Sequence, residues 1–331
     1  MPVYAFGSPE ALLLLLAAMA VETATGNLWY VFHRLSVSPG TLAFRCAVFL
    51  DRKLNRLDRS DVARMIRGLL VELFVIALAG ASGLFVGWLG RAFPYGLAAE
   101  LVVVVSCLSL RGSWTAIAEV FKELQDGGLA NGRQAVRGLT AHDPDTLDAH
   151  GVVRVAVEAT AKALNQHVVA PAFWYVLLGL PGLLVWTAVN ATDAAIGHRG
   201  SRYDAFGLTA ARLDDALNFL PARFSGLLIA AAAVFVGSAR PLTALRTMLR
   251  DARYHRSMNS GWPAAAMAGA LGLALGGPRV EGQVVIQEVW IGHGRARAIP
   301  ADIRRALALY AVGCLLLATL LISLLALVAA L

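Results

Sequence analysis

The last 25 residues, Leu307–Leu331, carry no charged side chain, and Gly68–Gly90 forms a second long apolar run. At 1.5 Å per residue, each is long enough to cross roughly 30 Å of hydrocarbon as a helix. Shorter apolar runs lie at Glu10–Ala24, Tyr95–Leu110, Ala172–Asn190, Phe224–Ser238 and Pro263–Gly277. Of the 331 residues, 58% are hydrophobic and 15% charged, against about 25% charged in average globular domains. That leaves too little polar surface for a soluble enzyme, a disordered chain or a disulfide-stapled secreted module. The pattern predicts an all-α, polytopic integral membrane protein with about five to seven membrane segments and amphipathic cytoplasmic helices. It is read as one membrane-embedded domain over 1–331, with no period-2 strand pattern.

Some of these segments are too short or broken to cross singly. Leu180-Pro181-Gly182 interrupts Ala172–Asn190, and Phe224–Ser238 and Pro263–Gly277 are short, so re-entrant or protein-buried segments are expected. Glu10–Ala24 lacks the basic residues that precede a signal peptide and is read as a retained first helix. The net charge of +7 has a membrane explanation, because Lys and Arg concentrate in cytoplasmic loops. The connection 33–67 holds eight Lys or Arg against three Asp and is placed in the cytoplasm, as is 111–171. No basic helix interleaved with aromatics argues for nucleic acid. Cys46, Cys107 and Cys314 are too scattered for a metal site or a disulfide framework.

Phosphate-binding glycine loops, a serine-hydrolase elbow and His-rich zinc spacings are all missing from the sequence. The densest polar constellation runs from Asn190 to Arg223. Read as a helix, its Phe206, Ala210, Leu213 and Leu217 form an apolar face, with Asp214, Asp215 and Asn218 on the opposite side. Such a helix can be a solvated amphipathic one. In a chain so poor in charge, four acids and four arginines between apolar segments also make a candidate site. Paired carboxylates with an amide suit Mg²⁺, and arginine forks suit phosphate or carboxylate, which points toward phosphoryl transfer or acyl-phosphate chemistry. A second cluster, His255–Pro263, reads as a turn into a helix with Pro263 at its first position, either an anion-holding terminus or a plain cap. A third, His142–Asp148, leads into an amphipathic helix containing Glu158, with Asp145 and Asp148 in a capping arrangement.

At these clusters the chain resembles the CobD/CbiB family of membrane-bound adenosylcobinamide-phosphate synthases. The resemblance is carried by Asn190, Asp193, Gly197, Arg202-Tyr203, Phe206-Gly207, Ala211-Arg212, Asp214-Asp215, Asn218, Pro221-Ala222-Arg223 and Asn259-Ser260-Gly261-Trp262-Pro263, with main signature region 190–282. Gly276-Gly277, Gly282 and the run Leu50–Arg56 also fit. It implies corrinoid biosynthesis: ATP-dependent amide formation between adenosylcobyric acid and aminopropanol or its phosphate, in a multi-pass protein of the cell (inner) membrane. Mg²⁺ and ATP as co-substrate are implied with it, and a homo-oligomer is compatible. The expected catalytic residues are Asp193, Arg202, Arg212, Asp214, Asp215 and Arg223, with Asp193, Asp214 and Asp215 holding the metal. Glu158, Asn190, Tyr203, Asn218, Asn259 and Ser260 are expected to bind substrate.

The chain departs from the family pattern in one segment. Where the family reads V-E-S-x-A-E-N-x-x-D-G, Val157-Glu158 is followed by Lys162, Ala163 and Gln166 in place of Glu, Asn and Asp. Ala141-His142-Asp143 replaces G-R-D, Met258 a Pro and Ala264 a Glu. Lys162 and Gln166 lie four apart, so a continuous helix would turn both to one site, where a lysine attracts phosphate and repels an ammonium. A repurposed member, either an amide ligase with another substrate or an AmpE-like membrane sensor, is the alternative reading.

Overall fold

The computed structural model describes residues 8–26, 37–93, 95–140, 143–198, 200, 202–281 and 284–330. His33, Ala141, His142 and Gly282 lie outside them. Thirteen α-helices form among the described residues: α1 Pro9–Thr25, α2 Pro39–Leu54, α3 Asp61–Ala92, α4 Gly96–Cys107, α5 Leu110–Asp126, α6 Gly128–Val136, α7 Ala149–Leu164, α8 Ala170–Ile196, α9 Leu208–Leu217, α10 Phe219–Ala232, α11 Pro241–Asp251, α12 Gly261–Leu271 and α13 Pro300–Ala330. The chain is an all-α polytopic membrane protein. Among the described residues, strand is confined to two antiparallel pairs: β1 (Leu275–Gly276) with β4 (Trp290–Ile291), and β2 (Arg279–Glu281) with β3 (Val284–Ile286).

Local chemistry sets the helix starts. Ser8, Ser38 and Ser60 accept the backbone N–H three residues on, and Pro9 and Pro39 follow two of these caps, where a missing N–H costs nothing. Asp148 caps α7 through the N–H of Gly151 at 2.6 Å, as its spacing suggested, whereas Asp145 pairs with Arg137 at 3.0 Å.

Four helical stretches among the described residues are long and apolar enough to cross a membrane: Asp61–Ala92, Gly96–Asp126, Ala149–Ile196 and Pro300–Ala330. Phe219–Ala232 is a shorter apolar helix. The outward faces of α3 and α13 expose Leu70, Phe74, Phe85, Leu315 and Leu327, the surface a lipid environment accepts. The break expected in Ala172–Asn190 is present. Gly179 takes φ 66°, ψ −156°, and with Pro181 it divides α8 into two limbs. The Pro263–Gly277 run contributes α12, whose 11 residues rise only about 16 Å. Pro263 to Leu271 are all buried, so this segment is a protein-enclosed helix that does not span.

The chain divides into two compact units. The first comprises Met1–Ser109, Ala170–Asn218 and Leu321–Leu331; the second comprises Leu110–Val169 and Phe219–Leu320. In the first, α8 packs against α2, α3 and α9, around a core of Ala47, Val71, Val75, Ala188, Ile196, Phe206 and Ala210. Gly68 of α3 is required there, because a Cβ would sit 1.8 Å from the Phe206 carbonyl oxygen. In the second unit α12 packs against α7, α10 and α11.

Candidate functional site

The sequence reading put Asp214, Asp215 and Asn218 on one helix with Phe206, on the side opposite its apolar face. The structure corrects this. Phe206 precedes α9, and Asn218, at its C-terminal cap, is 2% exposed. Asn218 Nδ2 donates to Asp214 Oδ1 at 2.9 Å, and Asn190 Nδ2 on α8 donates to the same oxygen at 3.0 Å. Trp186 Nε1 donates to Asn218 Oδ1 at 3.3 Å, which fixes the amide orientation. Asp214 is thus aimed inward by two amides, and the exposed Arg212 lies on the other flank of α9.

Glu72 of α3 joins this cluster, a residue the sequence reading missed. It is fully buried, neither carboxylate oxygen has a hydrogen-bond partner among the described residues, and Asp193 and Asp214 stand close enough for their charges to act on it. The signal was available: it is the sole acid in the apolar run Gly68–Gly90, and a lone carboxylate in a spanning helix is a functional candidate by default.

Arg202 is held elsewhere. Its Nη2 donates to Asp51 Oδ2 at 2.8 Å, and its carbonyl accepts from Asn55 Nδ2 at 3.0 Å and Arg64 Nη2 at 2.5 Å. Asn55 also donates to Asp51 Oδ1 at 2.8 Å. The run Leu50–Arg56 therefore supplies the anchor for the Arg202–Tyr203 turn, and the Arg202 guanidinium lies 5.6 Å over the Tyr203 ring.

In the second unit, a cavity of about 320 Å³ is lined by Arg154, Glu158, Lys162, His255, Arg256 and the Gly276-Gly277 turn, among others. Ser257 N–H donates to His255 Nδ1 at 2.9 Å, and His255 Nε2 faces Glu158 Oε1 at 3.1 Å. Arg154 donates to the Ala296 carbonyl at 2.8 Å and stacks over Trp290. Gly277, at φ 82°, would place a Cβ 2.5 Å from the Trp290 ring, so only glycine fits this wall. Lys162 and Arg256 are exposed at the cavity and make no hydrogen bond within the chain among the described residues.

The Asn259–Pro263 segment starts α12 at Gly261, two residues before Pro263. Gly261 N–H donates to the Ser257 carbonyl, Trp262 N–H to that of Asn259, and Ser260 N–H to Ser257 Oγ. The helix start is a closed cap, with these amides already engaged. Asn259 is buried, and Arg223 of α10 is stacked between Phe219 (3.4 Å to the ring centre) and Trp262 (4.3 Å). Gln166 is not among the cavity's lining residues. A π-helical turn at Asn165–Val169 replaces the continuous α-helix that would have brought it round beside Lys162.

Of the expected site residues, the structure groups Asn190, Asp193, Asp214 and Asn218 with Glu72 in the first unit. In the second, it groups Glu158 with His255 and Arg223 with Trp262. Among the described residues, no three His, Cys, Asp or Glu side chains converge closely enough to form a metal cage by themselves.

Together these features define a polytopic helical membrane protein with a carboxylate–amide cluster in one unit and a cavity lined by charged residues in the other. The CobD/CbiB family profile matches residues 15–310, and the chain belongs to that family. It is 40% identical over 316 residues to a Sinorhizobium sp. protein named cobalamin biosynthesis protein CobD, covering 93% of this chain and 97% of the relative. Relatives of the same name in Rhizobium meliloti and Rhodobacter capsulatus are each 39% identical, covering 93% and 90% of this chain and 94% and 92% of their own lengths. No solved structure matches the chain.

Proposed function

We propose that this chain is an enzyme of cobalamin biosynthesis in the inner membrane, joining the propionate of adenosylcobyric acid to aminopropanol or aminopropanol phosphate and consuming Mg-ATP. Family membership over residues 15–310 carries the pathway. The observation that carries the amine side is the second unit's cavity, where a carboxylate–imidazole pair and several cations surround about 320 Å³. That lies at the low end of small-molecule sites, roughly 300–1,000 Å³, and is too small for a whole corrinoid.

Converting the propionate to an acyl phosphate would give the amine a carbonyl with a good leaving group, and arginines would stabilise the oxyanions that develop. Mg²⁺ commonly takes one or two protein carboxylates and completes its shell with water and substrate phosphates. Asp214, with Asp193 and Asp215 as further donors, fits a Mg²⁺ carried in with the nucleotide better than a resident ion, since no three-ligand cage forms among the described residues. Asp214 Oδ1 is already occupied by the amides of Asn190 and Asn218, which hold Oδ2 in a set direction.

The test is ATP consumption by the full chain in detergent. It should occur only when both the corrinoid acid and an amine substrate are present. Asp214→Ala and Asp215→Ala should abolish it while leaving membrane insertion intact. ATP consumption without the corrinoid, or full activity in both variants, would overturn the reading.

A further inference from the structure

We propose that the second unit's cavity is the subsite for a zwitterion, an amine that also carries a phosphate. Glu158 takes the ammonium, Lys162 and Arg256 take the phosphate, and His255 positions Glu158. This rests on the amide-ligase reading and goes beyond it by assigning the amine substrate's place and the residues that read its two charges.

Three observations meet here. First, the cavity wall carries both signs of charge, with the carboxylates of Glu158 and Glu288 against Lys162, Arg256 and the partly engaged Arg154. A purely anionic ligand has no use for Glu158, and a simple amine has none for the cations. Second, the Glu158 carboxylate is oriented. His255, with a side chain only 9% exposed, has Nδ1 held by the Ser257 N–H, and its Nε2 faces Glu158 Oε1. The second oxygen, Oε2, is left to the cavity, where the Glu158 side chain is 35% exposed. Third, Lys162 and Arg256 make no hydrogen bonds within the chain among the described residues, so their donors are available to phosphate oxygens.

The probes are aminopropanol phosphate, aminopropanol and inorganic phosphate, titrated calorimetrically into the full chain in detergent. The zwitterion should bind at least tenfold more tightly than either fragment. Glu158→Gln should weaken aminopropanol phosphate about tenfold and leave inorganic phosphate unchanged. Lys162→Gln and Arg256→Gln should weaken both phosphate-bearing probes. His255→Ala should remove the zwitterion's advantage, and His255→Gln should restore most of it, because a glutamine amide can still donate to Glu158. A merely structural histidine would show no such rescue. Equal binding of the zwitterion and inorganic phosphate, or no effect of Glu158→Gln, would overturn the assignment. Coupling activity untouched by Glu158→Gln and His255→Ala would overturn the subsite and leave the ligase reading standing. Glu158-dependent binding without ATP-driven coupling would support the subsite and overturn the ligase reading.

Discussion

Arg202 and Asp51, 151 positions apart in sequence, are joined by a 2.8 Å charge-assisted hydrogen bond within the first unit. Asp51 is buried and also accepts from Asn55, whose amide in turn holds the Arg202 carbonyl. Asp51→Ala would leave Asn55 with the Arg202 carbonyl alone and Arg202 without its carboxylate. It is expected to cost about 1 kcal/mol, carried by the buried Asn55, because the Arg202 side chain is 44% exposed and regains water. Thermal unfolding in detergent checks this, and an unchanged midpoint would show that the Arg202–Tyr203 turn holds without α2.

Glu72 presents the opposite case, a buried carboxyl of α3 with no hydrogen bond among the described residues to offset its burial. Removing a buried carboxyl that has no hydrogen-bond partner relieves its desolvation cost, so an apolar side chain of similar volume is expected to be neutral or stabilising there. Glu72→Leu is therefore expected to keep or raise the thermal midpoint while abolishing ATP-dependent coupling. A lowered midpoint would make Glu72 a structural residue, and undiminished coupling would remove it from the Asp193–Asp214 cluster.

How much of this was legible follows from which interactions are local. Apolar runs declared the helical membrane class, and Pro181 with its neighbouring glycines declared the break in α8, because both depend on local composition and dihedral limits. The Asp148 cap was legible for the same reason. The inward aim of Asp214 was not, because it depends on Asn190 and Trp186 reaching across from α8. Nor was the π turn at Asn165–Val169, which no periodicity in the sequence marks and which cancels the expected Lys162–Gln166 pairing. The partnership of Arg202 with Asp51 needed the fold itself, since charge patterning assigns arginines to ligands and to aspartates equally well.

Asp251 supplies a pH test in the second unit, outside the spanning helices. It accepts from Arg250 Nε at 2.6 Å and Nη2 at 2.7 Å, and from the Gly292 N–H at 2.9 Å. The Arg250 hydrogen bonds, more than the opposing burial, hold its carboxyl below the usual aspartate range. A carboxyl depressed on folding adds stability above its unfolded value, about 3.9, and loses it as pH falls through the lower folded value. Asp251→Asn should therefore lower the thermal midpoint at pH 7 and flatten its decline below about pH 4. An acid decline as steep as in the unaltered chain would show that other carboxylates govern it.

Lys162 decides how the cavity reads phosphate. It stands at the end of α7, four residues and one helical turn from Glu158, and both line the same wall. Lys162→Glu would exchange a phosphate-attracting charge for a repelling one and add a second carboxylate for an ammonium. One partly screened charge pair is worth about 1 kcal/mol at most at such an exposed position. The substitution should therefore shift the preference for aminopropanol phosphate over free aminopropanol toward the free amine on about that scale. Gln166→Asp should leave the same ratio unchanged, because the π turn carries that position away from the cavity lining. Measuring both affinities in the two variants separates the outcomes. A ratio that moved with Gln166 and not with Lys162 would mean that the helix runs straight through this segment in the working protein, and that the cavity's phosphate contact lies elsewhere.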